Sequence, residues 1–147
     1  MTRTFAVLLA ILGGALAGMQ APVNSRLGKT VGTVQASTFS FLVGTVALLV
    51  IASLVKGGLG ELGKVGRAPW WALIGGLFGA VYVTAALVAV RTLGASGVTV
   101  AIIVGQLSIA VAIDRFGLFG LTKQHIDAPR IAGLVLLVAG AVLVVRK

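Results

Sequence analysis

Five apolar stretches dominate the chain, over about residues 4–24, 33–55, 70–90, 97–116 and 128–145. Crossing the hydrocarbon core of a bilayer takes about 20 apolar residues as helix. The first three stretches hold no charged side chain, and the fifth is the shortest. Water cannot accommodate this much apolar surface. Of 147 residues, 59% are hydrophobic and 10% charged, and the mean hydropathy is +1.13. A soluble domain carries about 25% charged residues. The expected fold is therefore all-α: one multi-pass membrane domain over residues 1–147, with five transmembrane helices set in a lipid bilayer.

The N-terminus also has the outline of a secretory signal, with Arg3, an apolar core and then Ala15-Leu16-Ala17. The apolar run continues past Ala17 and the rest of the chain is equally membranous, so the segment is expected to stay as a helix. Between the stretches lie connections rich in turn residues. KGGLGELGKVGRA (56–68) is glycine-rich, and Pro69 precedes Trp70 and Trp71. Two tryptophans at a helix end suit anchoring at the membrane–water interface. Asp127, two residues before Pro129, is placed to cap the last helix.

The formal charge is +9, from 12 Lys and Arg against 3 Asp and Glu. These cations are scattered singly at membrane flanks, where insertion requires them. A nucleic-acid surface would gather them on one face, so nucleic acid is not an expected partner. There is no cysteine, a single His125 and few acids. That composition offers no thiol chemistry, triad, metal cluster or carboxylate pair. No enzyme activity, metal or cofactor is expected. The glycine pairs follow no soluble β-strand and make no dinucleotide fingerprint.

Five crossings would put the two ends of the chain on opposite sides. Arg3, Lys56, Lys64, Arg67, Arg115, Lys123 and Arg130 then share one side. Arg26, Lys29, Arg91, Arg146 and Lys147 lie on the other, so the count is seven against five. Lys and Arg bias normally sets orientation, and this bias is small. Two readings stay open: one orientation with a weak signal, or insertion both ways. In the second, two inverted copies could build the ten-helix inverted-repeat architecture of many secondary transporters. No convincing repeat is visible within the chain itself.

The polar residues inside the stretches are the candidates for function. Gln20 and Asn24 are four apart and share a helix face. Gly14, Gly18 and Ser25 lie opposite, a small-residue surface for close helix packing. Pro22 between the two amides removes a backbone hydrogen bond and is expected to kink the helix. Gln106 sits mid-segment, where an amide needs a partner because hydrocarbon offers none. Asp114, beside Arg115, is the one acid placed within a membrane segment, as a coupling residue or a structural ion pair. Gln35, Ser37, Thr38 and Ser40 crowd the first half of the second stretch. Gly75 and Gly79 form another packing pair, with Tyr82 and Thr84 the mid-helix hydroxyls of that stretch. For each of these, helix packing without a ligand is the competing explanation.

Several segments resemble one known family. GMQAPVNSRLG (18–28), ASTFSFLVGTVALL (36–49), PWWALIGGLFGAVYVTAAL (69–87), VGQLSIAVAIDRFGLFGL (104–121) and RIAGLVLLVAGAVLV (130–144) occur in order over nearly the whole chain. They resemble the YdcZ-like family of bacterial membrane proteins, domain of unknown function family 606, in the drug/metabolite transporter (DMT) superfamily. Its Gln and Asn in helix 1 fall on Gln20 and Asn24, and its Phe and Gly in helix 2 on Phe41 and Gly44. Its Trp-then-Gly-Gly stretch falls on Trp70/Trp71 and Gly75/Gly76. Its Gly-Gln and Asp-x-Phe-Gly elements fall on Gly105–Gln106 and Asp114–Gly117.

The resemblance implies a five-helix half-transporter in the cytoplasmic (inner) membrane, acting as a homodimer, heterodimer or fusion. Small four-helix multidrug exporters of the superfamily couple protons to cations through a helix 1 Glu. This chain departs from that pattern with Gln20, and amides in a basic protein suit a polar neutral or anionic ligand at least as well. The expected function is transport of a small molecule by a dual-topology antiparallel homodimer. Gln20, Asn24, Gln106, Tyr82 and Ser40 are the candidate substrate contacts. The alternatives are an accessory membrane subunit that transports nothing and half of a heterodimeric transporter.

Overall fold

A computed structural model describes residues 1–56 and 58–146. Lys147, part of the charge count above, and Gly57 lie outside the described residues. Secondary structure among the described residues is entirely helical. The helices are α1 (Arg3–Val31), α2 (Thr33–Leu54), α3 (Trp70–Leu73), α4 (Gly75–Phe116) and α5 (Ala128–Val145). Two short 3₁₀ helices, Gly58–Arg67 and Leu118–Gly120, lie in the connections. Among the described residues, four helical stretches are long and apolar enough to cross a membrane: Arg3–Val31, Thr33–Leu54, Trp70–Phe116 and Ala128–Val145. The chain divides into two compact units, Met1–Arg91 and Thr92–Lys147.

In the first unit, α1 starts where the Thr2 side chain accepts a hydrogen bond from the Phe5 amide at 3.3 Å. It was expected to end at Asn24, but it runs on through Pro22 to Val31. Pro22 removes one hydrogen bond, yet the following Arg26, Leu27 and Lys29 are good helix formers. The first residue to leave helical geometry is Gly32, at φ 98° and ψ 156°. At 1.5 Å per residue, α1 is about 44 Å long, against a hydrocarbon core of about 30 Å. Its last turns, with Arg26 and Lys29, therefore extend past the apolar layer as helix rather than loop.

Gly32 is the whole connection between α1 and α2. Its amide donates to the Gly28 carbonyl at 3.1 Å, and its carbonyl accepts from the Ala36 amide at 3.0 Å. Contacts pair symmetrically about it. A Cβ on Gly28 would stand 3.6 Å from that of Ala36, and Asn24 bonds Ser40. This is an antiparallel hairpin that closes on small residues, with Ala36 fully buried. The first half of α4 packs on it, burying Val83, Ala86 and Leu87. Leu87 Cδ2 comes within 3.3 Å of a Gly28 Cβ, and the Phe41 ring within 3.1 Å of a Gly79 Cβ.

The glycine-rich 56–68 segment, read from sequence as a plain loop, contains a ten-residue 3₁₀ helix, Gly58–Arg67, packed beside α2. Its sequence is three triads, Leu59-Gly60-Glu61, Leu62-Gly63-Lys64 and Val65-Gly66-Arg67. With three residues per turn, positions i and i+3 eclipse. Leu59, Leu62 and Val65 thus form one stripe and Glu61, Lys64 and Arg67 another. The glycine row leaves the third stripe free of side chains, which relieves the crowding that usually keeps 3₁₀ helices short. Lys64 Nζ donates to both Glu61 carboxylate oxygens, at 2.8 and 2.7 Å. The next helix begins at Trp70, as expected, after Pro69.

No loop separates the third and fourth apolar stretches. α4 spans 42 residues with one non-helical residue, Gly94, at φ 71° and ψ 174°. An uninterrupted helix of that length would measure about 63 Å, twice the hydrocarbon thickness. The two helix breaks share a local sequence. Lys29-Thr30-Val31-Gly32 and Arg91-Thr92-Leu93-Gly94 each run basic, threonine, apolar, glycine. In both, the glycine takes a positive φ with extended ψ. No repeat was expected from the sequence, and this tetrad is short enough to pass unnoticed without the backbone.

In the second unit, α5 lies antiparallel to the last part of α4. A Cβ on buried Gly97 would meet Val145 Cγ2 at 3.9 Å, and Asp114 at the other end reaches Arg130. The Asp127 side chain accepts from the Arg130 amide at 3.1 Å and caps α5, with Pro129 in its first turn.

Candidate functional site

Most apolar side chains of α1, α2 and α5 are exposed in the single chain, as a bilayer or a partner surface allows. Among the described residues the buried polar side chains are few and lie in the first unit: Asn24, Ser25 and Ser37. The hairpin brings Asn24 Nδ2 to within 3.1 Å of Ser40 Oγ, to which it donates. Ser37 Oγ donates to the Thr33 carbonyl at 3.2 Å. The Thr84 hydroxyl, from α4, lies 3.0 Å from Ser37 Oγ and 2.8 Å from the Ala80 carbonyl. Arg91 Nε donates to Ser25 Oγ at 3.4 Å. A polar seam therefore joins α1, α2 and the first half of α4. Among the described residues no buried side-chain nitrogen or oxygen lacks a partner. Interhelical hydrogen bonds of this kind are worth about 0.6 kcal/mol on average in membranes.

Of the candidate substrate contacts, the structure joins Asn24 and Ser40 directly. Gln20 is half-buried one turn before Asn24, and Tyr82 is half-buried on α4. Neither makes a side-chain hydrogen bond among the described residues. Gln106 belongs to the second unit and is exposed there. It lines an open groove of about 640 Å³ between α4 and α5, with Leu107, Ala110, Leu134, Leu137 and Arg130.

Asp114 pairs with Arg130 rather than with adjacent Arg115. Its Oδ2 lies 3.6 Å from Arg130 Nη1, and both side chains are partly exposed. Successive helix residues point about 100° apart, so Arg115 faces elsewhere, while the returning α5 delivers Arg130. Arg130 Nη2 also donates to Gln124 Oε1 at 2.6 Å, and the Gln124 amide donates to the Asp114 carbonyl at 2.9 Å. This is a brace around the α4–α5 connection, worth at most about 1 kcal/mol at such exposure.

The candidate packing glycines differ in their surroundings within the single chain. Gly79 meets Phe41, but Gly14 and Gly75 have nothing within 4 Å of a Cβ position. Gly18 is half-buried. Gly28, which the sequence pattern did not single out, also lets helices approach closely. Trp70 is 74% exposed and Trp71 39% in the single chain. Arg91 and Ser25 were missed as a pair because 66 residues separate them.

The family described as "Putative inner membrane exporter, YdcZ" has a model that matches residues 5–143. The chain belongs to this family. The YdcZ-family match reaches all five apolar stretches, and it places this multi-pass protein in an inner-membrane exporter family rather than an enzyme family. No curated protein and no solved structure matches the chain. The seam of Asn24, Ser40, Ser37 and Thr84 is thus a feature of a YdcZ-family exporter chain, read from its own geometry.

Proposed function

We propose that this protein moves a small metabolite by alternating access as an antiparallel, dual-topology homodimer. Each copy contributes five membrane crossings, the helical stretch from Trp70 to Phe116 supplying two of them, divided at Gly94. The length of α4 supports five crossings, as does the non-helical backbone of Gly94 within it. The near-even split of basic residues supports insertion both ways. In the ten-helix assembly, Gln20, Asn24, Ser40, Tyr82 and Gln106 contact the cargo.

The observation that carries the reading is that Gln20, one turn before the Ser40-bonded Asn24, and Tyr82 on α4 are half-buried and make no side-chain hydrogen bond among the described residues. Polar groups at membrane depth need partners, and a polar cargo supplies them. Gln20→Ala and Asn24→Ala are expected to lower solute flux in proteoliposomes at least about tenfold while the dimer stays intact. A second reading, an accessory subunit, draws on the mutual satisfaction of the buried seam. It predicts that the same variants lose assembly instead.

Insertion is tested separately, because the chain has no cysteine. A single cysteine added at one terminus is expected to be labelled from outside whole cells in about half of the copies, the share that equal dual insertion requires. Labelling of nearly all copies, or of nearly none, rules out dual topology.

A further inference from the structure

We propose that Arg91, seated on Ser25 and Gly28, binds an oxyanion, a carboxylate or phosphate group, and that the cargo is a small organic anion. The cargo assignment rests on the transporter reading, whereas the anion seat does not.

The seat is built. Arg91 Nε donates to Ser25 Oγ at 3.4 Å, and Nη2 would come within 2.9 Å of a Cβ on Gly28. The guanidinium therefore lies against the α1 backbone, where glycine leaves room for it. Ser25 is itself buried, whereas Arg91 is exposed, so most of its N–H donors remain available. The planar fork of arginine matches a carboxylate or phosphate in two-point contact.

The protein's own carboxylates are already engaged. The chain has three acids. Glu61 pairs with Lys64, Asp114 pairs with Arg130, and Asp127 caps α5. Among the described residues none forms an ion pair with Arg91. Arg26 and Lys29 flank Gly28 in sequence, so three cations gather at this end of the first unit with no acid to balance them. A cationic cargo would meet net repulsion there, and an anion would be drawn in. The seat also adjoins Asn24, neighbour of Ser25 on α1, so an anion held by Arg91 extends naturally toward the polar seam.

An anionic lipid headgroup has the same chemistry, and the test separates the two sources. Purified protein in a neutral detergent is titrated with inorganic phosphate and with succinate, against chloride at equal ionic strength. Saturable binding of at least one probe is expected. Arg91→Gln should weaken it at least about tenfold, Arg91→Lys less, and Ser25→Ala a few-fold, with all variants monodisperse. Wild-type protein that binds neither probe beyond the chloride control overturns the seat, as does Arg91→Gln binding as well as wild type.

The same titration follows in vesicles of phosphatidylcholine, with and without phosphatidylglycerol. If phosphatidylglycerol displaces the probes through Arg91, the seat holds a headgroup and the cargo assignment falls. Flux separates this proposal from the transporter reading. A neutral solute carried at full rate by Arg91→Gln, with no anion flux in wild type, overturns the anionic cargo and leaves transport standing. Arg91-dependent binding without flux of any solute leaves the seat standing and overturns transport.

Discussion

Gly94→Ala is expected to cost about 1–3 kcal/mol and to lower the yield of folded protein sharply. The residue sits at φ 71° and ψ 174°, a region open essentially only to glycine. A Cβ there would meet nothing within 4 Å, so the whole cost lies in the backbone and none in packing. The chain can relieve it only by letting residue 94 become helical. That would fuse α4 into a single helix of about 63 Å, which a hydrocarbon layer of about 30 Å cannot hold upright. Gly105→Ala is the control. It also has open space at Cβ but sits in regular helix, where alanine is favoured by about 1 kcal/mol. Thermal unfolding in detergent should therefore move the two variants in opposite directions. A Gly94→Ala protein as stable as wild type would mean that the break is not held by this residue.

Gly32→Ala should be comparably damaging, by about 1–3 kcal/mol of backbone strain. Gly32 ends α1 and begins α2 at φ 98°, with no neighbouring loop residue to absorb a change. Its Cβ would also run into the Gln35 side chain. The double variant Gly32→Ala/Gln35→Ala distinguishes the two costs, since it removes the clash and leaves the strain. Most of the loss in melting temperature should persist in the double variant. Full recovery would show that the conformation of Gly32 carries little of the effect. Because the Gly28–Ala36 contact and the Asn24–Ser40 bond both close about this residue, solute flux should fall together with stability.

The apolar runs made the membrane class and most helix positions readable in sequence. α2 and α5 lie where hydropathy places them, since a long uncharged run leaves the backbone no way to satisfy itself in lipid except as helix. Asp127 as a cap was equally legible, because capping is local chemistry. The ends of α1 and the middle of α4 were not. Polar and charged residues such as Asn24, Arg26 and Arg91 look like the edge of a membrane segment, but a helix ends where its backbone can turn, and here that is at glycine. The site was half legible. Gln20 and Asn24 share a face by spacing alone. The partners Ser40, Thr84 and Arg91 come from other helices, and nothing local in the sequence encodes which hydroxyl meets which. Arg115 was the neighbour of Asp114 that the sequence showed, because adjacency was visible and the return of α5, which brings Arg130, was not.

The Gly58–Arg67 connector has a phase. Its apolar, glycine and charged rows exist because the sequence period and the helix period are both three. Inserting one residue at its centre would carry every later side chain a third of a turn around the axis. Leucine or valine would then stand where glycine belongs, and arginine where leucine belongs. Adding or removing a whole triad would change only the length. The connector between the second and third membrane segments can thus grow or shrink in steps of three, as a screw thread advances by whole turns, and any other step breaks the surface it presents.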